Sequence, residues 1–215
     1  MAKKSDRSAA LWVPPNPTLP ELIEASKGCQ GCDLYKNATQ TVFGAGSAEA
    51  RLMLVGEQPG DYEDRLGQPF VGPAGRVLDK ALEQAGIDRS LTYVTNTVKH
   101  FKSEPRGKRR IHKTPTAAEV AACKPWLEAE IGVIQPEVIV CLGVTASHAV
   151  LGKTFRLTLQ RGQVIPHPWG RVVATVHPSS LLRLGEAGQR REEFMRFVGD
   201  LKVAARLLRS PVPST

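Results

Sequence analysis

The sequence predicts an α/β fold: three α/β/α layers around a central, mostly parallel four-stranded sheet. Two observations carry that expectation. Four short apolar runs, RLMLVG (51–56), LTYVTN (91–96), EVIVCLG (137–143) and RVVATV (171–176), alternate with helical patterns, and strands separated by helices assemble into parallel sheets covered on both faces. The chain of 215 residues is long enough for one well-buried domain and short for two. Residues 1–17, with Pro14, Pro15 and Pro17, read as a flexible arm, 18–209 as the single domain and 210–215 as a flexible tail.

The elements follow in order. A short helix begins near Pro20 and leads to Cys29. PAGRVLDKALEQAG (73–86) places Val77, Leu78, Ala81, Leu82 and Ala85 at helical spacing before Gly86 as a C-cap. Thr116 and Glu119 form a capping box that opens a helix through Trp126 and Leu127, in which Pro125 should cause a kink. TASHAVLG (145–152) is a helix after the third strand, and the last helix covers roughly 189–208. In such sheets ligands bind past the carboxyl ends of the strands, which gathers the segments starting at Gly56, Asn96, Gly143 and His177 around one site.

Composition narrows the function classes. With 41% hydrophobic and 23% charged residues, disorder, collagen and coiled coil are excluded as global readings. No apolar run approaches the 18 or so residues that span a bilayer, and the N-terminus lacks an apolar signal region, so a soluble, cytoplasmic protein with no membrane partner is expected. Four cysteines are too few for a disulfide scaffold and point to metal, redox or core roles. The net charge of +8 is concentrated between Lys99 and Lys113, where seven basic residues (Lys99, Lys102, Arg106, Lys108, Arg109, Arg110, Lys113) face one acid, Glu104, for a net of +6. Such a block is the footprint of a polyanion, most simply nucleic acid, although a solvated basic loop has the same composition.

Two segments carry chemistry. GEQPGDYEDRLGQPFVGPAGR (56–76) starts with a Gly- and Pro-rich turn after a buried strand, suited to holding a small polar ring or a phosphate. HPSSLLR (177–183) places His177 directly after an apolar strand, with Ser179 and Ser180 able to bind phosphate oxygens and Arg183 one turn beyond.

GEQPGDYED, QPFVGPAGRVLD, YVTNTVKH and HPSSLLR together resemble the uracil-DNA glycosylase superfamily over roughly residues 28–205. Cys29-x-x-Cys32 and a helix bearing Cys123 look like its iron–sulfur class, family four, and the insertion GKRRIHK (107–113) looks like the UdgX subgroup. The resemblance implies that the target nucleotide is flipped into a pocket. It implies that Phe70 stacks on uracil, that Asn96 pairs with its N3–H and O4, and that His177 bonds O2 as charge develops on the leaving base. Glu57, Gln58 and Asp61 match the first motif, whose acid stabilises the sugar cation or accepts a proton; which of the three does so is open, and Gln58 is also a base-contact candidate. Tyr62 is either a wall against a C5 methyl or a surface aromatic. Lys108, Arg109, Arg110, Ser179, Ser180 and Arg183 are the expected DNA contacts, with single-stranded uracil DNA the expected partner, double-stranded DNA also open, and a monomer expected.

For metal, the resemblance implies a 4Fe-4S cluster on Cys29, Cys32 and Cys123, with His100 at the position of the family's fourth cysteine. Cys141, inside an apolar strand, is the competing fourth ligand, and tetrahedral zinc would accept the same donors. The UdgX-like reading makes His112 a nucleophile that bonds C1′ of the sugar once uracil leaves, ending in a covalent protein–DNA complex. A conventional turnover glycosylase and a non-catalytic, metal-stabilised uracil-DNA-binding module are the alternatives. A nucleotide-binding α/β protein is disfavoured because no Rossmann or P-loop fingerprint follows any strand.

Overall fold

The computed structural model describes residues 7–107 and 109–209. The elements run α1 (Leu19–Ser26), β1 (Ala45–Gly46), β2 (Leu52–Gly56), α2 (Asp61–Leu66), α3 (Pro73–Ala85), β3 (Thr92–Asn96), β4 (Ser103–Arg106), β5 (Arg109–His112) and α4 (Ala117–Ile134). They continue with β6 (Val138–Leu142), α5 (Val144–Leu151), α6 (Leu157–Gln160), β7 (Val164–His167), β8 (Gly170–Thr175), α7 (Pro178–Leu182) and α8 (Ala187–Arg209).

The central sheet has six strands in the order β1-β3-β2-β6-β8-β7, not four. The four expected strands are its parallel middle, β3-β2-β6-β8. The two additions are short antiparallel edges: β1, two exposed residues, on β3, and β7, which contains Pro166, on β8. Neither has an apolar run to announce it, and proline is tolerated at an edge because it donates nothing to the ladder. Side chains of the middle strands alternate between two cores. Met53, Val55, Tyr93, Ile139, Cys141 and Val172 pack with Leu22, Trp126 and Leu127 on the α1/α4/α5 side. Leu52, Leu54, Val94, Val140 and Val173 pack with Leu78, Leu82, Phe197 and Leu201 on the α3/α8 side. That alternation is the period-two signature of a sheet buried on both faces.

The capping box at Thr116 and Glu119 is formed, and α4 runs through Pro125. Gly86 closes α3 with a left-handed φ of +71°, which glycine adopts without a Cβ penalty. The arm expected over 1–17 is packed where it is described: Ser8 caps a 3-10 turn over Ala9–Leu11, and Ala9 is buried in the α4-side core. Residues 1–6 and the expected tail 210–215 lie outside the described residues. GDYEDRLG, to which the sequence pattern assigns no element, contains α2, whose first turn is acidic and whose end is Gly67 at φ +72°. The basic segment is a two-stranded antiparallel ribbon, β4–β5, separate from the main sheet and pairing Ser103 with His112 and Arg106 with Arg109.

Candidate active site

The carboxyl ends of the four parallel strands open onto a cavity of about 810 Å³. Glu57 follows β2, Asn96 ends β3, Gly143 follows β6 and His177 follows β8, and all four line it.

One wall is built from Asn96, Phe70 and His177. Asn96 is buried, and its Oδ1 has no hydrogen-bond partner, so the cavity contains a desolvated acceptor awaiting a donor. Phe70 is also buried and has the left-handed φ of +57°, an uncommon conformation for a bulky residue that costs on the order of 1–3 kcal/mol and is held by its surroundings. Gly75 makes that turn possible, since a Cβ there would lie 1.7 Å from the Phe70 carbonyl oxygen. The Phe70 and His177 rings are stacked at 6.1 Å and 29°. His177 caps α7, its Nδ1 accepting from the Ser179 N–H at 3.2 Å. Burial, with His112 and Arg183 adding repulsion, pushes its pKa down to about 4. His177 is therefore neutral at pH 7 with its proton on Nε2, a donor without charge.

The opposite lip is the β4–β5 ribbon, which carries His112 to 3.5 Å (Nε2) from Glu57 Oε1. The second Glu57 oxygen accepts from Thr145 Oγ1 at 2.5 Å. Burial holds the His112 pKa below the ordinary imidazole value; Glu57 opposes that shift and Arg183 reinforces it.

Two of the motif-one candidates are turned to holding that ribbon. The Gln58 amide donates to the carbonyls of Lys102 (3.3 Å) and Lys113 (3.1 Å) and accepts from the Lys102 N–H (3.1 Å), so it braces both ends of the ribbon and its side chain is not free to read a base. Asp61 does not line the cavity: it pairs with Arg65 (3.0 Å) and Arg110 (2.6 Å), and Arg110 also reaches the fully buried Asp64 (2.6 Å). Asp61 is remote because α2 turns it outward, and Arg110 is a clamp between ribbon and α2. Tyr62, 60% exposed, lies outside the cavity wall, which instead includes Glu63. The buried Glu63 carboxylate accepts from the Gly60 and Gly72 N–H groups and joins the two loops; Gly60 followed by a glutamate three residues on was the available signal.

The basic block divides in the structure. Lys99 is buried and donates to Glu130 (2.5 Å), Thr95 Oγ1 (2.6 Å) and the Asn96 carbonyl (2.8 Å), so it supports the end of β3 from beneath. Glu130 in turn accepts from Tyr93, Thr95 and the Gly44 N–H, leaving the buried pair fully bonded. Lys102 pairs with Glu119 and Lys113 with Glu104. Among the described residues of the block, Arg106 and Arg109 remain exposed without an acidic partner; Lys108 lies outside the described residues. Ser180 Oγ donates to the His177 carbonyl and Ser179 Oγ lies 2.8 Å from His177 Nδ1, so both hydroxyls serve the α7 turn while lining the cavity with Arg183.

Away from the cavity, Cys29, Cys32 and Cys123 lie close enough to act on one another electrostatically. Trp126 Nε1–H donates to Cys29 Sγ (3.2 Å) and the Lys99 N–H to Cys123 Sγ (3.3 Å), donors suited to thiolate sulfur. As a thiol, Cys123 is pushed up to about 12 by burial, against the pull of Lys99. Cys141 is fully buried in β6 among apolar side chains. His100 faces Thr41: the Thr41 hydroxyl donates to the Ser26 carbonyl (2.9 Å), so at 3.0 Å it accepts from His100 Nε2–H and leaves the lone pair on Nδ1, the form in which imidazole binds metal. Among the described residues no three His, Cys, Asp or Glu side chains form a group that could hold a metal ion. As donor types, three thiols and an imidazole with a free Nδ1 suit a cluster and zinc alike.

The family model described as the uracil DNA glycosylase superfamily matches residues 43–202. The chain is 44% identical over 162 residues to a Type-4 uracil-DNA glycosylase of Thermotoga maritima, covering 74% of this chain and 81% of that protein. It is 32% identical over 192 residues to the Type-4 enzyme of Archaeoglobus fulgidus, covering 86% and 93%. A Type-5 uracil-DNA glycosylase of Pyrobaculum aerophilum is 32% identical over 154 residues, covering 63% and 64%.

Proposed function

From the premise that this chain belongs to the uracil DNA glycosylase superfamily, we propose that it excises uracil from DNA and then bonds the resulting sugar through His112. The flipped uracil stacks on Phe70, and Asn96 Oδ1, buried and unpartnered, accepts its N3–H. Cytosine presents a lone pair at N3 and is rejected by the same atom. His177, neutral with Nε2–H available, donates to O2 as negative charge develops there, which lowers the barrier to breaking the N-glycosidic bond. Glu57 faces the sugar cation that remains. His112 then adds its imidazole nitrogen to C1′, and its other nitrogen releases a proton toward Glu57, giving a neutral N-glycoside with a poor leaving group.

The observation that carries the covalent step is the His112–Glu57 pair at 3.5 Å on the cavity lip, presented by a ribbon braced by Gln58 and Arg110. A turnover enzyme needs the cavity but has no need of an imidazole held there. Arg106, Lys108, Arg109 and Arg183 are the proposed phosphate contacts. Cys29, Cys32 and Cys123, with His100 as fourth ligand, would hold a 4Fe-4S cluster that would tie the segment after α1 to the α4 helix; iron and acid-labile sulfide in anaerobically purified protein test it.

The experiment for the main reading is denaturing electrophoresis after incubation with uracil-containing single-stranded DNA. A complex that survives boiling in detergent, with the sugar mapped by mass spectrometry to His112, is expected, and His112→Ser should replace it with free uracil and an abasic site over multiple turnovers. Wild-type turnover without a complex would establish the conventional glycosylase in its place.

A further inference from the structure

Glu57 is the acid at the centre of that proposal, and its side chain is held from one side only by a residue so far without a role. Adjacent parallel strands β2 and β6, with Val55 opposite Cys141, bring the loop after Gly56 against the start of α5. The Glu57 main chain is fixed first: its carbonyl accepts from the Val98 N–H (3.1 Å) and from Thr97 Oγ1 (2.6 Å). The carboxylate is fixed next, with Oε2 accepting from Thr145 Oγ1 and Oε1 left facing His112. Thr145 is held in turn by the entry to α5. Gly143, at φ +93°, donates its N–H to the Thr175 carbonyl (2.8 Å), and a Cβ there would come within 3.1 Å of His177 Cβ.

We propose that Thr145 is the positioning residue of the site: its hydroxyl holds the Glu57 carboxylate in the rotamer that turns Oε1 to His112 and to the sugar. The inference rests on the covalent reading above, and it deepens that reading by making the pair a three-member chain, Thr145–Glu57–His112. In the step concerned, the C1′–N1 bond breaks with its electron pair leaving on uracil, and the imidazole nitrogen supplies the pair for the new N–C1′ bond. The proton lost from the other imidazole nitrogen passes to Glu57 and then to the departed uracil anion. Thr145 neither gains nor loses a proton. The hydroxyl thus fixes where the carboxylate points and takes no part in the bond changes. Unheld, the carboxylate samples other rotamers, and a displacement of about 1 Å at a reacting group lowers rates by about 100-fold. The ionisable groups around it are His112 from β5, His177 and Arg183 from the β8–α7 turn, and Glu63 from α2.

The test compares Thr145→Val and Thr145→Ser with wild type in single-turnover reactions on a uracil-containing oligonucleotide at neutral pH, following free uracil and boiling-resistant complex separately. Thr145→Val should slow complex formation by about 10- to 100-fold. Thr145→Ser, which retains the hydroxyl, should recover most of the rate. Binding of an uncleavable 2′-fluoro analogue and the melting temperature should be little changed in both. Thr145→Val with the wild-type rate would overturn the inference, as would equal losses in Val and Ser. Wild type that releases uracil without a complex would overturn the covalent reading alone; the Thr145 inference is then decided by whether uracil release shows the same Val–Ser contrast.

Discussion

Gly56 and Asn96 are register partners at the ends of adjacent parallel strands, and a Cβ on Gly56 would stand 2.4 Å from Asn96 Oδ1 and 2.7 Å from Phe70 Cζ. The missing side chain is what lets the Asn96 amide and the Phe70 ring share one wall. Gly56→Ala should therefore push both off their positions. Uracil release is expected to fall by about 100-fold, with a smaller effect on melting temperature than a core truncation has. Unchanged release would show that neither group contacts the base.

Gln58→Ala removes the amide that joins Lys102 and Lys113. The ribbon should then present His112 less accurately, so complex formation is expected to slow by about tenfold while uracil release changes less. A parallel loss of both would return Gln58 to direct contact with the base.

Binding to single-stranded uracil DNA should depend strongly on salt. Reversing Arg106, Lys108 and Arg109 to Glu should reduce the slope of log K against log salt by about 0.7 for each phosphate that is no longer neutralised. Arg110→Glu should act differently, because Arg110 is committed to Asp61 and Asp64: it should lower the melting temperature by placing like charges beside a buried carboxylate. Titrations at several salt concentrations, with thermal melts, separate the two.

The pH dependence follows from the two histidines. On the proposed reading His112 is a neutral nucleophile, so complex formation should fall as pH drops through its pKa; burial lowers that pKa, and the fall should come below the ordinary imidazole midpoint near 6.5. His177 stays neutral down to about pH 4, so uracil release by His112→Ser should persist at pH values where wild-type trapping has already declined. Coincident acid limbs for release and trapping would mean that one group governs both.

Much of this site was legible in the chain because it sits where sequence patterns are strong. The apolar runs around Leu54, Val94, Val140 and Val173 mark the buried strands, and the first polar residues after them, Glu57, Asn96 and His177, necessarily emerge at one end of the sheet. The ribbon was not legible as structure: Ser103–Arg106 and Arg109–His112 are mostly exposed and charged, without the alternation that marks a half-buried strand. Partner choice was illegible too. Nothing local distinguishes Lys99, which goes inward to Glu130, from Arg109, which goes outward, because the deciding acid lies 31 residues away in another helix. Asp61 and Gln58 had the right residue types at the right motif, but their direction depends on α2 and on the ribbon ends.

The two ends of the ribbon meet, the Lys113 N–H bonding the Lys102 carbonyl at 3.0 Å, and the ribbon shares no ladder with the six-stranded sheet. The segment between them is thus a graft on a complete scaffold. Joining residue 102 directly to 113 would close the chain with little rearrangement and leave the base-facing wall whole. If the proposed covalent reading holds, the reverse operation has the same economy: an insertion of about ten residues at this single junction would turn a reusable catalyst into a reagent consumed with each lesion, without redesign of the rest of the cavity.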